Sequence, residues 1–399
     1  MQLVFCWVLS ACLFGLLTEI SHADWRQFRG NQSNGLPEDP GRDWDGIQEV
    51  VWEADLPGRG LSSPIIVGDR VFVTASSGGL QERLHVLCFS ATDGSKLWER
   101  TCWATGRTVC HPKTCVAAPS PASDGKRIFA IYSSNDLICL DLDGNLQWFR
   151  GLTYEFPNAS NSLGMASSAV SVGDKVVVML ESDDASFAAG LNADTGETSW
   201  VIDRPQRANW TSPSIAPDGK TILMQSSAGV SAIDSETGAE IWKYSDGAAT
   251  QPTLVMVGEV AYVPSHGVTA IRPGRSDTSV PEILWQVGNL SPGVPSPIAY
   301  DERLFVINNG AVISAASLEN GKRLWQARLK GPMSASPVVV GNKLFTVNEE
   351  GTTQVIDPDK KGKIVSEHQF GEIMLGTPAV TDDGVYVRSD QHLYKIAVD

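Results

Sequence analysis

The chain has 399 residues, 42% of them hydrophobic and 19% charged, with 37 Gly and 22 Pro, the proportions of a globular protein whose backbone turns often. Its formal net charge of -15 is broken by no basic run, which argues against nucleic acid as a partner and gives an anionic lipid surface nothing to hold.

In chain order, residues 1–23 come first. The run LVFCWVLSACLFGLL, followed by the small residues Ser21 and Ala23 ahead of Asp24, reads as a secretory signal cut before Asp24, although it lacks a basic start. Leu9-Ser10-Ala11-Cys12 has the form of a lipobox, so attachment to a membrane is expected only if Cys12 carries lipid. No later apolar run has the length needed to span a bilayer. Residues 24–48 form an N-terminal extension, and 49–399 form one repeat domain.

The repeat is written in tryptophan. Trp98, Trp148, Trp200, Trp242, Trp285 and Trp325 follow one another at intervals of 40 to 52 residues, the period of a propeller blade. Most follow an acidic turn with glycine, as in ATDGSKLW, DLDGNLQW, ADTGETSW, SETGAEIW and LENGKRLW, where glycine supplies the positive φ of a tight hairpin. Ahead of each lies a small residue, usually with Pro, opening a β-branched run: SSPIIV, PSPASD, TSPSIA, SPIAYD, ASPVVV and GTPAVT, with ASSAVS and QPTLVM as looser copies. Eight such starts predict eight units of four short strands. Seven blades would leave one start unused.

The last unit has three strands and no Trp strand, whereas EVVWEAD around Trp52 is a Trp strand with no unit before it. The fold expected is therefore all-β: an eight-bladed β-propeller of four-stranded blades, closed by pairing the N-terminal strand with the last blade. A monomer is expected.

Five cysteines follow residue 23. Cys88 and Cys139 sit at matching places in apolar strands, where a buried free thiol is expected. Cys102, Cys110 and Cys115 share one loop, and in an oxidising compartment one bridge among them is expected, Cys110 to Cys115 being the first choice.

The Ser-Pro strand start combined with D-x-x-T-G-x-x-x-W resembles the PQQ-like (quinoprotein-type) repeat, over nearly the whole chain after residue 23. The opening DWRQFRGNQSNG, Asp24 to Gly35, is similar to the start of secreted planctomycete PQQ-like proteins. The resemblance implies an exported protein, in the periplasm or outside the cell. It also implies one of two roles: a quinoprotein dehydrogenase, or a scaffold like the propeller lipoprotein of the outer-membrane β-barrel assembly machine.

A quinoprotein enzyme of that family would show adjacent cysteines over the quinone and a Glu/Asn/Asp set for calcium, and no two cysteines here are adjacent. The histidines after residue 23, at 85, 111, 266, 368 and 392, have no metal-ligand spacing, and no Gly-x-Ser-x-Gly elbow or Walker loop occurs. No catalytic residue and no resident metal are assigned. PQQ with calcium remains the alternative cofactor, for an oxidoreductase acting on alcohols or sugars.

The loops are uneven. Long lead-in loops at 99–118, 149–166 and 201–211, with an insertion at 181–187, open on one face and bring together His111, Lys113, Tyr154, Asn161, Glu181, Asp183, Asp184, Arg204, Arg207 and Trp210. This mixed polar and aromatic cluster at one channel mouth is the candidate site for a protein or small polar ligand. Within it, Arg204 or Arg207 is expected to pair with Asp183 or Asp184. The insertion 272–282 opens on the opposite face. The function expected is a non-enzymatic binding or assembly scaffold.

Overall fold

A computed structural model describes residues 24–39, 43–160, 163–274 and 280–398. The expected signal with Cys12, the candidate site residue Asn161 and part of the 272–282 insertion lie outside them.

The described residues form eight four-stranded antiparallel sheets and one short 3-10 turn, Leu152–Tyr154. Blades 1 to 7 occupy residues 65–103, 122–151, 170–203, 214–244, 255–287, 298–328 and 338–369, each with its first strand innermost. Blade 8 takes Ala379–Thr381, Gly384–Arg388 and His392–Ala397 from the C-terminal end and Val50–Asp55 as its outer strand. Trp52 pairs with Lys395 across that seam, and the inner strand of blade 8 abuts that of blade 1, so the ring closes as the sequence predicts. No helix of the described residues is long and apolar enough to cross a membrane.

One row of side chains in each blade explains the repeat. In blade 1 it runs Phe72, Cys88, Trp98, and in blade 2 Phe129, Cys139, Trp148. In blades 1 to 6 the residue paired with the Trp is small, Cys88, Cys139, Gly190, Ala232, Ala270 or Ala315, which leaves room for an indole laid over the sheet, whereas in blade 8 Trp52 pairs with Lys395.

Each ring then reaches into the following blade. The Nε1–H groups of Trp52, Trp98, Trp148, Trp200 and Trp285 donate to the turn carbonyls of Ala91, Leu142, Ala193, Ser235 and Leu318 at 2.9–3.1 Å. The turn glycine must lie under that ring. Gly94, for example, has φ +72, and a Cβ on it would stand 2.7 Å from the Trp52 indole. Turn and Trp therefore recur together because one blade's glycine seats another blade's indole.

Blade 7 breaks the pattern, with Ser366 at the Trp position opposite Val355. The extension fills the gap. Trp44, 1% exposed, lies 6.0 Å from Phe345, as Trp98 lies 5.8 Å from Phe72. Gly46 passes so close that a Cβ there would stand 2.4 Å from Ser366 Cβ, and the Ile47 N–H donates to Ser366 Oγ at 3.2 Å.

At the axis, the small residue before each Pro forms a hydroxyl ring. The backbone N–H groups of Ser63, Ser120, Ser168, Ser212, Thr253, Ser296 and Ser336 each donate to the hydroxyl of the equivalent residue one blade on, at 2.8–3.1 Å, ending on Thr377. The Pro that usually follows has no N–H to leave unsatisfied at the crowded wall. Only at the blade 8 to blade 1 seam is the series open, with Ser63 Oγ buried and unpartnered among the described residues.

Residues 25–35 close the other end of the channel. Trp25 exchanges two backbone hydrogen bonds with Ile66 of blade 1, each 2.9 Å, and the Arg26 carbonyl accepts from the Ser123 N–H of blade 2. Gln27 Oε1 and Ser33 Oγ accept from Ser171 and Ile215 of blades 3 and 4. Arg29 donates to the carbonyls of Leu254 and Pro297, at 3.1 and 2.5 Å, and the Gly35 carbonyl accepts from Val339. One short segment thus bonds to seven blades, at their inner strands or at the residue leading into them. Burial lowers the Arg29 guanidinium to about 9, which leaves it charged at neutral pH.

Candidate functional site

Between this plug and the loop-bearing face lies a cavity of about 420 Å³ on the propeller axis. Phe28 of the plug forms part of its lining, and the hydroxyl-ring residues Ser120, Ser168, Ser212, Thr253, Ser296, Ser336 and Thr377 form its waist. All seven of their oxygens already accept a backbone N–H, so the wall offers weak, evenly spaced polar contacts rather than a charged clamp. Toward the mouth the lining becomes Leu61, Leu163, Val294 and Leu375 with His111, Lys113, Trp210 and Gln251.

The mouth is built by loop-to-loop bonds. His111 N–H donates to Leu163 O at 3.0 Å, tying the lead-in loops of blades 2 and 3. Trp210 is held by its Nε1–H to Gly164 O and its backbone N–H to Thr250 O, both 2.8 Å. Lys113 reaches Glu349 of blade 7 at 2.9 Å, and Glu349 also accepts from Ser334 Oγ at 2.7 Å. Lys113 is 69% exposed, so this ion pair contributes little to stability.

Of the expected cluster, the structure brings His111, Lys113 and Trp210 to the cavity. Glu181 and Arg204 are not in it. They form a buried pair at 2.8 Å, and Arg204 Nη2 also donates to Met224 O at 3.3 Å. Arg204 thus takes neither Asp183 nor Asp184, because its guanidinium turns inward beneath the loop. Burial pushes the Glu181 carboxyl up, opposed by Arg204, and its second oxygen has no partner among the described residues. Asp183 caps the Ala208 N–H at 3.2 Å, while Asp184 and Arg207 are exposed. Tyr154, 85% exposed on the 3-10 turn, stands outside the cavity.

The expected Cys110 to Cys115 bridge is not formed, and both cysteines are free. Cys115 packs into the core between blades 1 and 2, where burial pushes its thiol up to about 12. Cys110 stays at the rim, where its sulfur accepts from Gln81 Nε2 at 3.6 Å. The two thiols face different surroundings, which no local turn reconciles. Sequence reading also missed Glu349, Ser334 and Phe28. The recurrence of Ser or Thr, rather than any small residue, before the strand starts was the signal for the hydroxyl waist.

Fold and channel together define the class: an eight-bladed propeller of quinoprotein-type repeats with a plugged channel. Residues 48–178, 85–271, 277–369 and 309–399 match the family described as outer membrane protein assembly factor BamB, and the chain belongs to that family. A curated relative, outer membrane protein assembly factor BamB of Alkalilimnicola ehrlichii, is 33% identical over 95 residues, which span 24% of this chain and 24% of that one.

Among solved structures, BamB from Moraxella catarrhalis superposes with a TM-score of 0.65 at 18% identity, covering 88% of this chain and 98% of that one. A europium-containing methanol dehydrogenase gives 0.70 at 12% identity, covering 94% and 98%. A quinohemoprotein alcohol dehydrogenase from Comamonas testosteroni gives 0.71 at 13%, covering 94% and 80%. Likeness at such identities establishes a shared fold, and that fold hosts both assembly factors and dehydrogenases.

The cavity wall fits a quinone cofactor poorly. An anionic cofactor with calcium calls for cations and for six to eight oxygen ligands. The lining offers one lysine, already engaged by Glu349, and among the described residues no group of three or more His, Cys, Asp or Glu is placed to hold a metal ion.

Proposed function

We propose that this protein is an exported scaffold that binds protein partners with the loop-bearing face of its propeller, in the assembly of outer-membrane proteins. Membership of a family described by that role supports the reading. The observation that carries it is the set of large apolar side chains held out in solvent around the mouth. Leu80, Trp103, Val109, Tyr154, Leu163 and Ile373 are 44 to 85% exposed, all on loops or strand ends of this one face. Other exposed apolar side chains, such as Leu97, Leu146, Ile283 and Leu324, lie along the outer strands, but the two most exposed aromatic ones, Trp103 and Tyr154, stand at this face, and aromatic anchors dominate the energetics of interaction surfaces.

Release of the exposed Lys113 from Glu349 would let the same face admit a side chain or peptide end into the cavity. Its hydroxyl waist and apolar walls would bind such a group without fixing its charge. No redox role is assigned to the channel.

A photo-crosslinking amino acid tests the reading when placed at Tyr154 or Ile373, with Lys360 on the opposite face as control. Adducts to envelope proteins from Tyr154 and Ile373, and none from Lys360, are expected. Equal yields from both faces, or none from the mouth, would refute it. Reconstitution with PQQ and calcium, followed by assay of alcohol and sugar oxidation, tests the rival, and no turnover is expected.

A further inference from the structure

Blade 1 carries a constellation on the same rim that the channel does not use. Ser77 ends the strand Arg70–Ser77, His85 lies on Arg83–Ser90, and Glu99 lies on Lys96–Trp103. The register pairs His85 with Ala75 on one side and Thr101 on the other, so Ser77 and Glu99 are its diagonal neighbours on one face of the sheet.

Ser77 Oγ stands 2.7 Å from His85 Nε2, and His85 Nδ1 stands 2.8 Å from Glu99 Oε1. Burial pushes the Glu99 carboxyl up, but hydrogen bonds from Lys96 and His85 outweigh it and hold the carboxyl below its usual range. An ionised carboxylate only accepts, so the imidazole proton sits on Nδ1 and Nε2 is left to accept from the serine hydroxyl. The imidazole is 5% exposed, whereas Ser77 is half-buried at the rim, so the base is shielded and the hydroxyl reachable.

Gly78, with φ +96, turns the chain away beside the Glu82 carboxylate, which would stand 2.6 Å from a Cβ there, and a Cβ on Gly79 would meet only open space. Leu80 and Trp103, 73% and 62% exposed, supply apolar surface at the edge.

We propose that Ser77, His85 and Glu99 form a serine-nucleophile site that hydrolyses esters of small apolar carboxylic acids, a capacity beyond partner binding at the mouth that shares Leu80 and Trp103 with it. Ser77 Oγ attacks the ester carbonyl while His85 Nε2 takes its proton. The bond to the alcohol oxygen breaks, and the alcohol leaves with that proton. Water then attacks the Ser77 acyl ester, His85 passes the water's proton to Ser77 Oγ, and the carboxylic acid is released. Ser77 and His85 are the catalytic residues, and Glu99 is a positioning residue that fixes the tautomer.

The full chain treated with a biotinylated fluorophosphonate, then digested with trypsin, reads the site directly. The peptide 71–83 should carry the adduct on Ser77, as phosphorus takes the serine oxygen and fluoride leaves. Ser77→Ala should remove the label and lower p-nitrophenyl butyrate hydrolysis by at least about 100-fold, the scale of losing the nucleophile, with little change in melting temperature. Glu99→Gln should lower kcat by about 10-fold or more with KM unchanged, and Glu99→Asp should restore part of it. An unlabelled Ser77 in the folded protein, a label on Ser76 instead, or undiminished hydrolysis in Ser77→Ala would overturn the proposal.

Discussion

The two ends of the channel are built on opposite principles. At the plug, residues 25–35 bond to seven blades, at their inner strands or at the residue leading into them, and bury Arg29 completely. At the mouth, the loops are tied to one another, but Lys113 of the crossing ion pair is 69% exposed and apolar side chains face water. Bonds placed in the dry interior keep their strength and make their loss costly, whereas exposed ones contribute little and can exchange for a partner's. The difference assigns stability to one end and recognition to the other.

The largest effect that would break this contrast belongs to the plug. Arg29→Ala removes two buried donors from the Leu254 and Pro297 carbonyls along with a large side chain, and should cost about 4 kcal/mol in a urea titration. An unchanged midpoint would mean the plug is only a tail laid against the ring. Trp44→Ala empties the wedge that blade 7 does not fill for itself, and about 3 kcal/mol should be lost, with tryptophan fluorescence reporting the change.

Ser212→Ala leaves the Ser168 N–H without its acceptor at the waist of the cavity, a loss of about 1–2 kcal/mol measurable by calorimetry. At the blade 7 to blade 8 junction, burial pushes the Glu372 carboxyl up, but hydrogen bonds from Ser389, His392 and Tyr394 outweigh it and hold the group below its ordinary 4.5. A depressed carboxylate stabilises the fold above its unfolded value and loses that contribution as pH falls through the folded one. Glu372→Gln should therefore narrow the stability gap between pH 7 and pH 3 in thermal melts. The smallest effect on stability belongs to the mouth: Lys113→Ala should change the midpoint by under about 0.5 kcal/mol while altering crosslinking yield at Tyr154.

Much of the fold was legible because the repeat is local chemistry. A glycine turn, a Trp four residues later and a Ser-Pro start each specify a strand edge, and eight copies in register leave one closed arrangement. The candidate site was legible only in part. His111, Lys113 and Trp210 converge because the lead-in loops must open on one face. Arg204 turns to Glu181 instead of the nearby Asp183 because the two meet inside the blade, where their attraction is little screened and offsets the cost of desolvation, and sequence distance carries no information about that.

By itself, the sequence determined the blade count, the strand order within each blade and the lending of the Trp52 strand to blade 8, since all follow from hydrophobic period and turn residues. Tertiary structure alone decided that residues 25–35 plug the channel, that Trp44 stands in for a missing blade residue and that Ser77, His85 and Glu99 meet. Arg29 bonds to carbonyls 225 and 268 residues away, and Trp44 reaches Phe345 across blade 7. Such contacts depend on how the ring brings distant segments to one axis, which no local pattern encodes.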